Sequence, residues 1–259
     1  MRKTECFKIR LYSTGNLDFS NLDMSNPIKD VEFGDGIVKG HPIQIVADPF
    51  LFVFNNTLFL FYESKRFRDK DLLMMTFSKD LKLWSKPVVV LKESFHLSYP
   101  FIFEQDGHVY MIPETNQAHA VRLYEADDST LTHFTYKRDL LSHKSEDSSI
   151  TIDYCDTSVL KKEGVYYMHT TVCYNGINTL ELYTSETLFG PYVKLPSSPI
   201  IADNKYGRNA DSLISIGDTL YSVAQDCVKR YGDNVHLFRI DELTPNSYRE
   251  TLVKDNIKH

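Results

Sequence analysis

Four segments of this 259-residue chain align with one another without a gap. Each has a short apolar run, then a polar pair or a glycine, then a second run rich in Leu, Val, Tyr and Phe. Two such runs joined by a two-residue turn are typical of a β-hairpin. The four segments are DPFLFVFNNTLFLFYE (48–63), YPFIFEQDGHVYMIPE (99–114), DTSVLKKEGVYYMHTT (156–171) and DSLISIGDTLYSVAQD (211–226).

A third and a fourth run follow each hairpin, and the repeat period is between 50 and 60 residues, since the segments start at 48, 99, 156 and 211. Four antiparallel strands at such a period predict a β-propeller, whereas a β-sandwich has no reason to repeat one four-strand unit. We expect an all-β, single-domain chain with five four-stranded blades. The expected blades are approximately 1–45, 46–98, 99–153, 154–209 and 210–259, with strands of the first at 7–12 and 31–38.

Composition excludes several classes of function. The net charge is −6 and no basic cluster is present, so nucleic acid is not an expected partner. No apolar run is long enough for a membrane span, and no export signal is visible, so we expect a cytoplasmic protein. The four cysteines form no CxxC pair and the histidines no HxxxH pair, so the spacing predicts no zinc site.

Polar residues open the first run and close the second run of every repeat. Antiparallel strands bring these two positions to the same rim of a blade, and radial repetition points them at one axial pocket. Several carboxylates in one pocket repel each other, which a functional site tolerates and a scaffold does not. The pairs are Asp48 with Glu63, Tyr99 with Glu114, Asp156 with Thr171, and Asp211 with Asp226.

Several phrases carry a family resemblance: ADPFLF (47–52), SYPFIF (98–103), IPET (112–115), AQDC (224–227) and a following YG (231–232). They resemble the propeller domain at the amino end of plant glucosamine inositolphosphorylceramide transferases, also found in bacterial proteins of surface-polysaccharide loci. That domain is similar to the five-bladed propellers of glycoside hydrolases that act on arabinans, xylans and fructans.

The resemblance implies roles for individual residues. Asp48 matches the base or nucleophile that opens the first blade of the hydrolases. Tyr99 stands where a second Asp would open the next blade, so Asp156 is the expected modulating carboxylate and Glu114 the expected acid. Asp211 and Asp226 are the alternatives if Asp48 is not the base. The expected substrate-binding residues are Glu63, Tyr99, Arg208, Asp211, Gln225 and Asp226.

Two functions remain open from the sequence. The first, which we favour, is an enzyme of the glycosidase or glycosyltransferase type that acts at an anomeric centre, in surface polysaccharide metabolism, through an acid and a base. The alternative is a glycan-binding propeller without catalysis, which the missing second-blade Asp and the missing export signal favour. Both expect a carbohydrate or a sugar-containing small molecule as partner. Neither requires a cofactor, although axial carboxylates could hold a hard cation such as calcium.

Overall fold

The structure is a computed structural model that describes residues 8–13, 25–31, 43–66, 71–143 and 152–257. The chain forms two compact units. The first unit comprises residues 1–111 and 124–137, and the second comprises residues 112–123 and 138–259.

The first unit begins with a two-stranded antiparallel sheet of β1 (Ile9–Leu11) and β2 (Lys29–Val31). The next sheet has four antiparallel strands in sequential order: β3 (Ile43–Phe54), β4 (Thr57–Arg66), β5 (Leu72–Ser78) and β6 (Val88–Lys92). Ile9, Leu11 and Val31 pack against Leu60 and Met74 of this sheet, so the small sheet covers one of its faces.

A second four-stranded sheet follows, again in sequential order: β7 (Ser98–Gln105), β8 (His108–Glu114), β9 (Ala120–Ala126) and β10 (Phe134–Ser142). A short 3-10 turn at Asn116–Ala118 joins β8 to β9. The predicted third and fourth runs of this repeat therefore form strands.

Two five-stranded sheets complete the chain. The third repeat gives β11 (Ile152–Lys162), β12 (Val165–Tyr174), β13 (Ile177–Ser185), β14 (Val193–Lys194) and β15 (Ile201–Ala202), with β14 and β15 both pairing with β13. The fourth repeat gives β16 (Arg208–Asn209), β17 (Ile214–Ile216), β18 (Thr219–Asp226), β19 (Asn234–Leu243) and β20 (Tyr248–Ile257), with β16 and β17 both pairing with β18. Tyr167 and Leu182 of the third repeat pack with Ile240, Leu243 and Tyr248 of the fourth.

The hairpin turns are those the repeat predicts. Asn55 and Asn56 have φ angles of 47° and 57°, and Glu163 and Gly164 have φ angles of 51° and 84°. Two successive left-handed residues give the type I′ turn, whose twist matches that of the flanking strands. Asp106 with Gly107 repeats this pattern. The sequence alignment therefore located these turns correctly.

The fold class is confirmed: the protein is all-β, with antiparallel sheets in the arrangement of a β-propeller. Within the described ranges there is no α-helix, and none of their helical residues forms a segment long and apolar enough to span a membrane. Among the described residues, four sheets have four or five strands and one sheet has two. Residues 32–38, which belong to a predicted strand of the first blade, lie outside the described residues. The fifth blade therefore stays a prediction.

Candidate functional site

The residue that opens the repeat has the same unusual backbone in three of the four copies. Asp48, Tyr99 and Asp156 have φ angles of 50°, 46° and 49°. Pairing shifts register between Ala47 and Phe50, because the bend adds an unpaired residue to β3. Pro49 fits this bulge because it has no N–H to pair. Left-handed non-glycine residues carry strain and concentrate at functional sites.

Asp48 is fixed by a contact between successive repeats of the first unit. Its Oδ2 atom accepts a hydrogen bond from the backbone N–H of Tyr99 over 3.1 Å. The Tyr99 ring is buried edge-on against Phe50, with 4.7 Å between the ring centroids. The side chain of Asp48, which is partly exposed, is therefore held in one orientation by two bent backbone segments.

Glu63 lies in β4, opposite Ala47, and only 6% of the residue is exposed. Burial raises the pKa of its carboxyl group to about 8, and the negative charges of Asp48 and Asp71 act in the same direction. Lys65 opposes this shift. Near neutral pH the carboxyl group of Glu63 therefore holds a proton. The sequence predicted a substrate-binding role for Glu63 but gave no indication of this protonation state.

Sequence reasoning missed the neighbours of Glu63. Asp71 precedes β5 and is buried, and it forms ion pairs with Lys65 Nζ over 3.0 Å and with His96 Nδ1. Burial alone would raise the pKa of Asp71, but hydrogen bonds from His96 and Lys65 lower it overall. His96 Nε2 contacts Ser98 Oγ at 3.0 Å. These residues lie in different parts of the repeat and share no spacing motif.

A second group of candidate side chains surrounds Arg208 in the second unit. Arg208 Nε donates to Asp156 Oδ2 over 2.6 Å, and Arg208 Nη2 donates to Glu114 Oε2 over 3.3 Å. The guanidinium also lies 5.2 Å from the centroid of the Tyr231 ring, within cation–π range. We call Glu114, Asp156, Arg208 and Tyr231 the arginine cluster.

The arginine cluster is buried below an exposed aromatic ring. The side chain of Arg208 is 14% exposed, whereas Tyr231 is 63% exposed. Burial acts to lower the pKa of Arg208, but Asp156 and Glu114 outweigh it and raise the pKa well above its usual value. Arg208 therefore keeps its charge at every pH at which the protein is folded.

Neighbouring asparagine side chains form further hydrogen bonds to Glu114 and Asp156. Glu114 Oε1 accepts a hydrogen bond from Asn116 Nδ2 over 2.9 Å. Asn209 Nδ2 donates to the backbone carbonyl of Asp156 over 2.9 Å. Glu114 thus accepts at both oxygens, as an ionised carboxylate does, which disfavours the role of proton donor that the sequence predicted for it.

The remaining predicted residues lie near the same strands. Gln225 pairs with Arg208 across β18 and β16. Asp226 is buried, its Oδ1 accepts from the backbone N–H of Val228 over 2.8 Å, and its Oδ2 lies 3.7 Å from Nε2 of buried His236. Asp211 lies in a bend after β16, where its carboxylate accepts from Ser212 N over 2.6 Å, and burial raises its pKa.

The candidate residues fall into the two units. Asp48, Glu63 and Tyr99 belong to the first, and Glu114, Asp156, Arg208, Asp211, Gln225 and Asp226 belong to the second. Their convergence on one axial pocket stays a prediction. The structure adds Tyr231, which lies in the loop between β18 and β19; its YG dipeptide was noted in the sequence, but nothing there pointed to a partner for its ring.

The sequence of this chain matches a known protein family. Residues 13–259 match the family model described as glucosamine inositolphosphorylceramide transferase 1, N-terminal. The chain belongs to this family. The resemblance seen in the sequence motifs is therefore confirmed over nearly the whole chain.

Two curated relatives of this chain are plant proteins. Glucosamine inositolphosphorylceramide transferase 1 of Oryza sativa subsp. japonica is 32% identical over 258 residues, which cover 96% of this chain and 33% of the relative. The protein of the same name from Arabidopsis thaliana is 29% identical over 230 residues, covering 83% of this chain and 28% of the relative. The chain therefore spans about a third of the length of these relatives.

Three solved structures with the same fold are named as glycoside hydrolases or as an arabinanase. A family 43 hydrolase from Bacillus licheniformis has a TM-score of 0.57 at 18% identity, covering 86% of this chain and 45% of its own. A family 117 hydrolase from Zobellia galactanivorans has 0.61 at 12%, covering 81% and 69%. The α-L-arabinanase of Cellvibrio cellulosa, complexed with arabinohexaose, has 0.59 at 15%, covering 80% and 77%. At such identities the likeness shows the fold alone.

Proposed function

We propose that this chain is a carbohydrate-active propeller that recognises a sugar or a sugar-containing small molecule at the arginine cluster. The observation that carries the proposal is the exposed Tyr231 ring above a guanidinium held between two buried carboxylates. An aromatic face packs against the C–H face of a sugar ring. Carboxylate and guanidinium groups then accept from and donate to its hydroxyl groups, the combination of apolar and polar contacts typical of small-molecule sites.

The names of the relatives support a sugar as the partner. The family members are named as glucosamine inositolphosphorylceramide transferases, and the structural neighbours are named as glycoside hydrolases or as an arabinanase. The shared theme of these names is a glycan or a glycosylated molecule. The particular sugar of this chain does not follow from them.

The hydrogen bonds of Glu114 favour recognition over acid catalysis in this cluster. A general acid has to hold a proton before it transfers it to the leaving oxygen. Glu114 accepts from Arg208 and Asn116, so both of its oxygens act as hydrogen-bond acceptors, the role that sugar hydroxyl donors also require. We assign Glu114 and Asp156 the task of orienting Arg208 and binding sugar hydroxyl groups.

Catalysis at an anomeric centre is the second candidate, and one observation favours it. Glu63 has a pKa near 8 beside the partly exposed Asp48, so one carboxyl group is protonated while its neighbour can act as a base. Enzymes assign acid and base roles to paired carboxyl groups in this way. In this version Asp48 keeps the role of base, and Glu63 replaces Glu114 as the acid.

Binding measurements on matched variants test recognition at the arginine cluster. Titration calorimetry with a panel of monosaccharides, oligosaccharides and nucleotide sugars identifies a ligand of the wild type. Arg208→Gln should then abolish binding, and Tyr231→Ala should weaken it by about tenfold or more, the scale of one lost aromatic contact. Arg239→Gln is the control, because Arg239 pairs with Asp241 over 2.7 Å on an exposed surface. Unchanged affinity in both Arg208→Gln and Tyr231→Ala would contradict the proposal.

A further inference from the structure

Glu63, Asp71 and His96 form a compact group of potential metal ligands in the first unit. One oxygen of each carboxylate and one ring nitrogen of His96 all lie within 4.8 Å of one another. Ligand atoms about 2.0–2.2 Å from a metal ion are about 3–4 Å apart, so small side-chain movements bring these three atoms to coordinating distance. Within the part of the chain that the structure describes, it is the one group of three such side chains.

The environment of Glu63 supplies an independent argument. The residue is 94% buried, since 6% of it is exposed, and its interactions with Asp48, Asp71 and Lys65 are charge interactions without a hydrogen bond. Buried polar groups are nearly always hydrogen-bonded or coordinated to a metal. Among the described residues no hydrogen bond to this carboxyl group is found, and one of its oxygens lies within 4.8 Å of the ligand atoms of Asp71 and His96.

The other two residues, Asp71 and His96, already contact each other through candidate ligand atoms. Lys65 Nζ lies 3.0 Å from Asp71 Oδ1 and donates to Asp71 Oδ2 over 3.3 Å, and Asp71 Oδ2 also contacts His96 Nδ1. His96 Nε2 lies 3.0 Å from Ser98 Oγ, so a proton on Nε2 can be donated to this hydroxyl group. In that tautomer the lone pair of Nδ1 faces Asp71 Oδ2, and a bound metal ion would replace the hydrogen bond between these two groups.

From this geometry we infer that Glu63, Asp71 and His96 bind one divalent transition-metal ion of the Zn²⁺ or Mn²⁺ type. The imidazole nitrogen selects against Ca²⁺ and Mg²⁺, which prefer all-oxygen sites. Three protein ligands leave a position for water or for an oxygen atom of another molecule. The ion adds positive charge where three carboxyl groups, those of Asp48, Glu63 and Asp71, lie near one ammonium group, that of Lys65.

Metal binding to the purified chain tests the inference without any assay of activity. After treatment with EDTA and gel filtration, the protein is titrated calorimetrically with ZnCl₂, MnCl₂ and CaCl₂, and its thermal unfolding is followed with and without each salt. We expect one equivalent of Zn²⁺ or Mn²⁺ to bind and to raise the Tm, because a ligand that binds only the folded state stabilises it. Binding of Ca²⁺ alone, or no saturable binding of any of the three ions, would overturn the inference.

Variants connect that ion to the three residues. Glu63→Gln keeps the shape of the side chain and should lose the 1:1 site, as should His96→Ala. Ser98→Ala should weaken the metal affinity by about 10–100-fold, as loss of a supporting hydrogen bond does elsewhere. His133→Ala is the control, because His133 also contacts a carboxylate, that of Asp127 at 2.6 Å, but its side chain is 69% exposed and belongs to no such group. If His96→Ala does not fold, as judged by circular dichroism, Glu63→Gln decides alone, and unchanged affinity in that variant refutes the site.

Discussion

Arg208 Nε lies 2.6 Å from Asp156 Oδ2, and this ion pair joins two different sheets of the second unit, since Asp156 belongs to β11 and Arg208 to β16. Both side chains are largely buried, with exposed fractions of 14% for Arg208 and 6% for Asp156. In such surroundings, removing one partner leaves a charge without its counterion. The pair therefore bears on stability as well as on ligand recognition.

Asp156→Asn should lower the free energy of unfolding by about 1.5–3 kcal/mol, the usual size of a hydrogen bond to a charged group. Urea unfolding measures the change. A double-mutant cycle with Arg208→Gln should show that the two effects are not additive, because the residues share one contact. Additive effects would mean that the two side chains do not interact in solution.

Asp48→Asn tests the base of the second candidate function. If the protein turns over a glycoside or a nucleotide sugar, this variant should lose activity by about 10²–10⁴-fold while sugar affinity changes little, because the amide keeps the shape but not the basic charge. Asp106→Asn is the control, since Asp106 also has a left-handed backbone, with φ of 54°, but lies in a hairpin turn. Full activity of the Asp48 variant would remove Asp48 from catalysis.

His169 makes the stability of the protein depend on pH. The residue is fully buried, and burial lowers the pKa of its imidazole to about 3 from an ordinary value of 6.5. Between these two values the unfolded chain binds a proton that the folded chain does not. The folded state should therefore lose stability as the pH falls from 6.5 toward 3, by up to about 1.4 kcal/mol per pH unit.

Chemical denaturation at several pH values measures this slope. His169→Gln should flatten it, whatever the effect of the substitution on stability at neutral pH. His133→Gln, at an exposed position, should leave it unchanged. An equally steep slope in the His169 variant would show that other groups cause the acid destabilisation.

The turn between β11 and β12 gives a prediction about the backbone alone. Glu163 has a φ angle of 51° and Gly164 one of 84°. Glu163→Asn should stabilise the fold by roughly 0.5–1 kcal/mol, because Asn tolerates this conformation better. Gly164→Ala should destabilise the fold by about 1–2 kcal/mol, because alanine is strained in a left-handed backbone conformation. A steric clash does not contribute, since an added Cβ would meet no atom within 4 Å. Thermal unfolding of both variants checks the two signs, and a stabilising Gly164→Ala would contradict the assigned turn.

The sequence contained enough to locate the strands because their signals are local. Alternating side chains and turn residues such as Asp106 with Gly107 act over a few positions, so the hairpins could be predicted. The pairing of Arg208 with Glu114 joins residues that are 94 positions apart, and no local pattern encodes it.

The neighbours of Glu63 show a second limit of sequence reasoning. Asp71 and His96 lie outside the strands that the repeat aligns, one immediately before β5 and the other before β7. Histidine spacing along the chain therefore gave no indication of the proposed metal site. Only the pairing of β4 with β5, and the approach of the segment before β7, bring the three side chains together.

The left-handed bend shared by Asp48, Tyr99 and Asp156 has a consequence for how such a protein diverges. The bend occurs with an acidic residue at Asp48 and Asp156 and with an aromatic residue at Tyr99, so it does not depend on one type of side chain. Exchange of an acidic for an aromatic group at that place then changes the chemistry of a single blade without rebuilding the strand. Proteins with this architecture can in this way gain or lose carboxyl groups one repeat at a time. In this chain the second repeat opens with the aromatic residue Tyr99 in place of an aspartate.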